Sequence, residues 1–182
     1  MKKISLLAIG ATFLFSCGER PAEQPAAAST APIATQTQPA EFADAKYADI
    51  GKQGLAALSK GDVDLWMTAM ADNVKYYFNG GDSIIGKAAV SDYWKKRRGE
   101  VIDTIFFTSD IWLPLKVNAP QQPVQAPGIW LLSWYQVHSS YKASGKSMVQ
   151  WIHTDMHFDA NDKIDQVIQY LDRSVINAAM QK

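Results

Sequence analysis

The sequence predicts an α+β domain in which early helices pack on one face of a curved, mostly antiparallel sheet. Two observations carry that expectation. Apolar residues recur at helical spacing in residues 44–59, 62–70 and 86–98, and after Gly99 the period changes to two. Turn-forming pairs, Ser144-Gly145 and Asn161-Asp162, then fall where long strands would have to reverse.

Each element follows from its own residues. Tyr47, Ile50, Gly54, Leu55 and Leu58 share one helical stripe, so Asp44 to Ser59 reads as an amphipathic helix ending near Lys60-Gly61. Asp62 is suited to cap a second, short helix that turns Val63, Trp66, Met67 and Met70 inward. Asn73 to Phe78 reads as a strand, turned by Asn79-Gly80-Gly81-Asp82 into the short Ser83-Ile84-Ile85. Gly86 opens a third helix with Ala89, Val90, Tyr93 and Trp94 on one side, expected to stop at Gly99. The cations Lys95-Lys96-Arg97-Arg98 in its last turn are read as complementing the helix dipole. Val101–Val117, Ile129–Tyr141, Met148–Phe158 and Ile164–Leu171 are rich in β-branched and aromatic residues and read as long strands. Trp66, Trp94 and Trp112 are expected in the core. Tyr76 and Tyr77 must point to opposite faces of their strand.

Ahead of this domain, residues 1–16 read as a secretory signal: a cationic Met1-Lys2-Lys3 and an apolar run from Ile4 to Phe15. That run is shorter than the roughly 20 residues a bilayer-spanning helix needs. Leu14-Phe15-Ser16-Cys17 resembles the lipobox of bacterial lipoproteins, which implies that Cys17 is acylated and becomes the first mature residue. Cys17 is the single cysteine, so no thiol is left for a disulfide, a metal or nucleophilic catalysis. Residues 17–43, rich in Ala, Pro, Thr and Gln, read as a disordered tether, and residues 44–182 as the folded domain. Loss of Lys2 and Lys3 with the signal leaves 16 of the 18 basic side chains against 18 acidic ones. Such a balance gives no footprint for nucleic acid, and membrane contact is expected through the lipid anchor only. Gly18 after the anchor is compatible with delivery to the outer membrane of the cell envelope.

Three motifs in order resemble the cone-shaped nuclear transport factor 2-like fold, which includes the SnoaL-like polyketide cyclases and ketosteroid isomerases. They are Ser59-Lys60-Gly61-Asp62 before Trp66, Ile85-Gly86-Lys87 at the third helix, and Phe158-Asp159-Ala160-Asn161-Asp162-Lys163-Ile164 running on to Tyr170-Leu171-Asp172. Asp162 stands where the family usually has glycine. The resemblance implies a pocket between sheet and helices for a small, often apolar molecule, and homodimerisation through the sheet. It also implies, for family enzymes, a pocket carboxylate or histidine that moves protons beside a carbonyl.

The residues themselves suggest where such chemistry would sit. If Ser144-Gly145 is a two-residue turn, His138 lies opposite Trp151, Gln136 opposite His153, Trp134 opposite Asp155 and Leu132 opposite His157. One face then carries Trp130, Trp134, Gln136, His138, Trp151, His153, Asp155 and His157, including all three histidines. The other holds Ile129, Leu131, Val137, Met148, Ile152, Met156 and Phe158, and reads as core. A metal is not expected, because residues two apart on a strand lie about 6.6 Å apart and His153 to His157 about 13 Å, too far to share one ion directly, which leaves two adjacent positions plus His138 as the arrangement still open. For acid-base catalysis the candidates are Asp155 with His153 or His157, and Asp172. For ligand binding they are Trp130, Trp134, His138 and Trp151. No phosphate-cradling glycine loop, nucleotide fingerprint or serine elbow is present, and no cofactor is called for.

Three readings stand at this point. The first is a lipid-anchored domain that binds a small apolar or amphiphilic molecule in an aromatic-lined cone. The second is an isomerase, cyclase or dehydratase of the same fold, and the third a homodimeric or partner-binding domain without a ligand. Catalysis requires a carboxylate within reach of a histidine inside a closed pocket, binding alone requires a pocket without that pair, and the third reading requires the tryptophans on a flat sheet surface.

Overall fold

The computed structural model describes residues 38–120 and 126–182. The signal, Cys17 and most of the tether lie outside the described residues. The strands and helices are β1 (Ala40–Phe42), α1 (Lys46–Lys60), α2 (Val63–Met67), β2 (Met70–Phe78), β3 (Ser83–Ile85), α3 (Lys87–Lys96), β4 (Ile102–Val117), β5 (Gly128–Tyr141), β6 (Ser147–Phe158), β7 (Ile164–Tyr170) and α4 (Arg173–Met180). The seven strands form one sheet in the order β1-β4-β5-β6-β7-β2-β3, antiparallel except for the β2–β7 pair. Among the described residues no helix is long and apolar enough to cross a membrane.

Local chemistry places most of these elements. Gly61 ends α1 in the left-handed region (φ 80°), which lets its N–H and that of Asp62 return to the carbonyls of Leu58 and Ala57. The Asp62 carboxylate accepts from the Leu65 N–H at 2.9 Å and so starts α2. The hairpin between β6 and β7 turns at Asp162, which adopts φ 58°, the conformation that explains why glycine is usual there. Asp162 meets the backbone demand and adds a contact glycine could not: its carboxylate accepts from Tyr47 Oη at 2.6 Å and Lys46 Nζ at 2.7 Å, tying the turn to α1. Those bonds hold its carboxyl below the usual range.

Four expectations are corrected. The ordered fold begins before Asp44, because Ala40–Phe42 pairs with Val117–Leu115 as an edge strand. Met70 begins β2 rather than extending α2, and is buried. The third helix does not stop at Gly99; a wide π turn over Arg97–Val101 carries it into β4. The cations there do more than face a dipole. Arg98 donates to the carbonyls of Leu58, Ser59 and Ile102, capping the end of α1, and Lys95 pairs with Asp64 at 2.6 Å.

The register of the central hairpin also differs. The β5–β6 turn spans Lys142–Gly145, with Tyr141 N–H donating to Lys146 O, so Trp134 faces His153, Gln136 faces Trp151, Leu132 faces Asp155 and His138 faces Val149. A shift of two residues exchanges neighbours yet preserves the faces, because side chains alternate with period two. The two-sided sorting therefore stands while every predicted cross-strand partner changes. β4 carries two register shifts, between Ile102 and Ile105 and between Thr108 and Ile111, the second at Ser109 (φ 56°). Such bulges bend the strand and increase its twist.

The helices cover one face only. Gly51 of α1 lies so close to that face that an added Cβ would sit 2.5 Å from the Trp112 ring and 2.7 Å from Leu131. The core between them holds Leu58, Trp66, Val74, Val90, Trp94, Leu131, Met156 and Val167. Trp112 is partly buried against it. A second apolar cluster, built on Ile102, Tyr135, Val137, Tyr141, Met148 and Ile152, is closed by Val175, Ile176, Ala179 and Met180 of α4.

Candidate functional site

The covered face contains a cavity of about 400 Å³. Its floor is Val137, Ser139 and Tyr141 of β5 with Met148 of β6, and Ile102 and Ile105 of β4 continue it. Tyr93, Trp94 and Arg97 close one side, and Leu171, Ile176, Asn177 and Met180 the other. That volume lies within the 300–1,000 Å³ range usual for small-molecule sites, which are mostly apolar with a few placed polar groups. Beside the floor, on the same face of the sheet, runs a buried hydrogen-bond network. Ser133 Oγ donates to Thr154 O at 2.8 Å, Tyr135 Oη and Thr154 Oγ1 stand 2.7 Å apart, and Tyr76 Oη donates to Gln169 Oε1 at 3.1 Å. Burial raises the Tyr76 phenol well above its ordinary value and raises Tyr135 as well, so both stay protonated as donors at neutral pH. Asp82 is the single carboxylate in the lining, and Arg173 Nη2 holds it at 2.7 Å, which keeps its carboxyl below the usual range. No histidine lines this cavity among the described residues.

The residues chosen from the sequence lie elsewhere. Trp130, Trp134, His138, Trp151, His153, Asp155 and His157 occupy the opposite face of β5 and β6, away from the helices. Their assignment to the cone pocket is therefore corrected: an alternating strand that sends Leu131, Tyr135 and Val137 into the core must send its tryptophans outward. Trp134, Trp151, His153 and Asp172 do gather along one open groove, with Tyr170 and Asn79. Trp134 stacks on His153 at 4.4 Å and His153 on Tyr170 at 5.4 Å. Trp130 is buried and donates to Ala126 O. His138 stacks on Phe106 and meets Thr108 Oγ1 at 2.9 Å.

The two histidines paired with Asp155 as candidates, and Asp172, already have partners. His157 is buried with Nδ1 2.6 Å from Asp165 Oδ1 and Nε2 3.1 Å from Pro127 O, so neither nitrogen is free for a substrate. His153 places Nδ1 3.0 Å from Ser133 O and Nε2 2.9 Å from Asp155 Oδ1. The latter contact has ion-pair distance without hydrogen-bond alignment, and Oδ1 is buried with no directed donor. Burial raises the Asp155 carboxyl despite the opposing His153 charge. Asp172 instead caps α4, accepting from Ser174 N–H at 2.8 Å and Ser174 Oγ at 2.7 Å, and those bonds lower its carboxyl. Among the described residues no group of three His, Cys, Asp or Glu side chains is placed to hold a metal ion.

The pairing at Asp155 has a measurable sign. A carboxyl raised in the fold favours the native state while protonated, below its unfolded value of about 3.9, and that contribution is lost as pH rises through the folded value. Asp155→Asn should therefore melt at a higher temperature than the parent at pH 7, with the gain shrinking toward pH 4. A gain that is independent of pH, or a loss at pH 7, would contradict the burial argument.

Two features of the cavity escaped the sequence. One is α4, whose signals are Asp172-Arg173-Ser174 as an N-cap and Val175, Ile176, Ala179 and Met180 at helical spacing. The other is Arg97, one of four consecutive cations, which falls three and four residues after Trp94 and Tyr93, on the helix side they define.

No family model matches the sequence, and no curated protein does. Solved structures do match. A candidate polyketide cyclase from Pseudomonas putida superposes with a TM-score of 0.61 at 16% identity, covering 74% of this chain and 98% of that one. A nuclear transport factor 2-like protein of unknown function from Burkholderia pseudomallei gives 0.59 at 12% identity, covering 75% and 98%. An LEH-like epoxide hydrolase of M. tuberculosis gives 0.53 at 16% identity, covering 74% and 89%. The fold is the nuclear transport factor 2-like cone. In its terms the helix-covered cavity is the interior of the cone, and the tryptophan-rich face is its outer wall. A shared fold at such identity transfers no activity.

Proposed function

We propose that this protein holds a small apolar or amphiphilic molecule in the cone cavity and does so without catalysing its conversion. The observation that carries the reading is the lining itself: an apolar cavity of about 400 Å³ whose one carboxylate is bound by Arg173 and which has no histidine beside it. Asp155 and His153, the raised carboxyl and its imidazole, stand on the outer wall instead, which weighs against the isomerase or cyclase reading. The polyketide cyclase and epoxide hydrolase descriptions of its structural neighbours are consistent with a cavity suited to small molecules.

A second reading concerns the outer wall. Phe106, Ile111, Leu113, Val149, Trp151 and Tyr170 are exposed there on neighbouring strands, a larger apolar display than a lone sheet face usually presents to water. Homodimerisation through this wall would cover it. The anchor completes the proposal: Cys17, acylated, tethers the domain to the envelope, with the outer membrane as its destination.

One experiment addresses all three statements. Native mass spectrometry of the full chain, purified in mild detergent from its own cells, should show a small-molecule adduct, a dimer, and a mature N-terminus at Cys17 carrying acyl mass. An adduct-free spectrum after gentle purification would count against the cavity reading, a monomer at micromolar concentration against the dimer, and an unmodified chain starting elsewhere against the anchor.

A further inference from the structure

We infer that the bound molecule is an anionic amphiphile, its acidic head on Arg97 and its apolar tail along Val137, Met148, Ile176 and Met180; this inference rests on the cavity reading above. The three arginines among the described residues differ in their partners. Arg98 binds three backbone carbonyls and Arg173 binds Asp82. Arg97 is half-buried in the cavity wall, and among the described residues its guanidinium has no hydrogen bond and no ion pair, only the Tyr93 ring at 5.7 Å. A guanidinium presents five N–H donors and keeps its charge at any physiological pH. Withdrawing it from water without an anion is unfavourable.

The surroundings offer no internal solution. Tyr76, Tyr93 and Tyr141 are the groups that feel or face its charge, and phenols at neutral pH are not anions. Asp82 is already held by Arg173. The lining thus carries two guanidiniums and one carboxylate, so it has one uncompensated positive charge. Ser139, Gln169 and Asn177 are neutral polar members, Tyr93, Tyr141 and Trp94 add phenol and indole groups, and the remaining uncharged lining is apolar. A single negative head with at least two acceptor oxygens matches a guanidinium in charge and geometry, and an uncharged or cationic amphiphile would leave Arg97 unmatched.

The test is isothermal titration of the purified protein, stripped of co-purified molecules, with decanoate and with decan-1-ol at neutral pH. Decanoate should bind about 10- to 100-fold more tightly, the margin a charge-assisted hydrogen bond supplies. Arg97→Gln should erase that margin by lowering decanoate affinity to about that of decan-1-ol, an unchanged thermal melt showing the variant folded, and Arg97→Lys should keep part of it. Equal affinities in the parent, or a margin that survives in Arg97→Gln, would overturn the anionic assignment and leave the cavity reading standing. Binding of neither probe, together with an adduct-free native spectrum, would overturn both.

Discussion

The Val137→Trp protein should leave its own cells without a bound molecule. Val137 is 3% exposed on the interior strand β5 and lies on the floor of the cavity, so an indole there has nowhere to go but into the space between α3 and α4. Filling a packed interior costs about 1–3 kcal/mol in strain. Here part of that strain is relieved because the cavity is open volume, so the domain should still fold. Ligand retention should fall by more than about 100-fold, the loss expected when some 3 kcal/mol of contact is replaced by overlap. Trp151→Ala, which trims a residue 52% exposed on the outer wall, should leave the adduct intact. The pair of variants separates the two faces of the sheet: loss in the first and retention in the second place the molecule inside the cone.

The largest effect on stability is expected at Leu131→Ala. Leu131 is fully buried, faces α1 at the point where Gly51 allows the closest approach, and joins helix to sheet in the main core. Truncating a buried leucine costs about 2–5 kcal/mol, the transfer loss plus the cavity left behind. For a domain of this size that is a fall of roughly 10 °C in Tm. Chemical denaturation should show a lower midpoint with an unchanged slope, because the surface exposed on unfolding hardly changes. A fall below about 1 kcal/mol would mean that α1 settles into the gap through the room Gly51 leaves, and that the contact is looser than drawn.

The limits of the sequence reading follow from the same geometry. Helices and strands were legible because their apolar periods differ, and the motif Asp62, Gly86 and the 159–163 turn fixed where they start and stop. The two faces of β5 and β6 were legible as well, since parity survives a two-residue error in the turn. What parity cannot tell is which face the helices cover. The tryptophans and histidines looked like a site because they carry chemistry, yet the face with Leu131, Tyr135, Val137 and Met156 was the more apolar one and therefore attracted α1 and α4. Arg97 was hidden for a different reason. In a run of four cations a single charge has no distinguishing feature until the π turn over Arg97–Val101 aims it inward and sends Arg98 to the end of α1.

The most direct test of the central claim is a methyl spectrum of the protein labelled with ¹³C at its methionine methyl groups, recorded as isolated and again after the bound molecule is extracted. Met148 and Met180 line the cavity, whereas Met67, Met70 and Met156 belong to the packed core away from it. The resonances of Met148 and Met180 should move on extraction while those of Met67, Met70 and Met156 hold. Resonances of Met148 and Met180 that stay in place on extraction would mean that the molecule is held outside the cone.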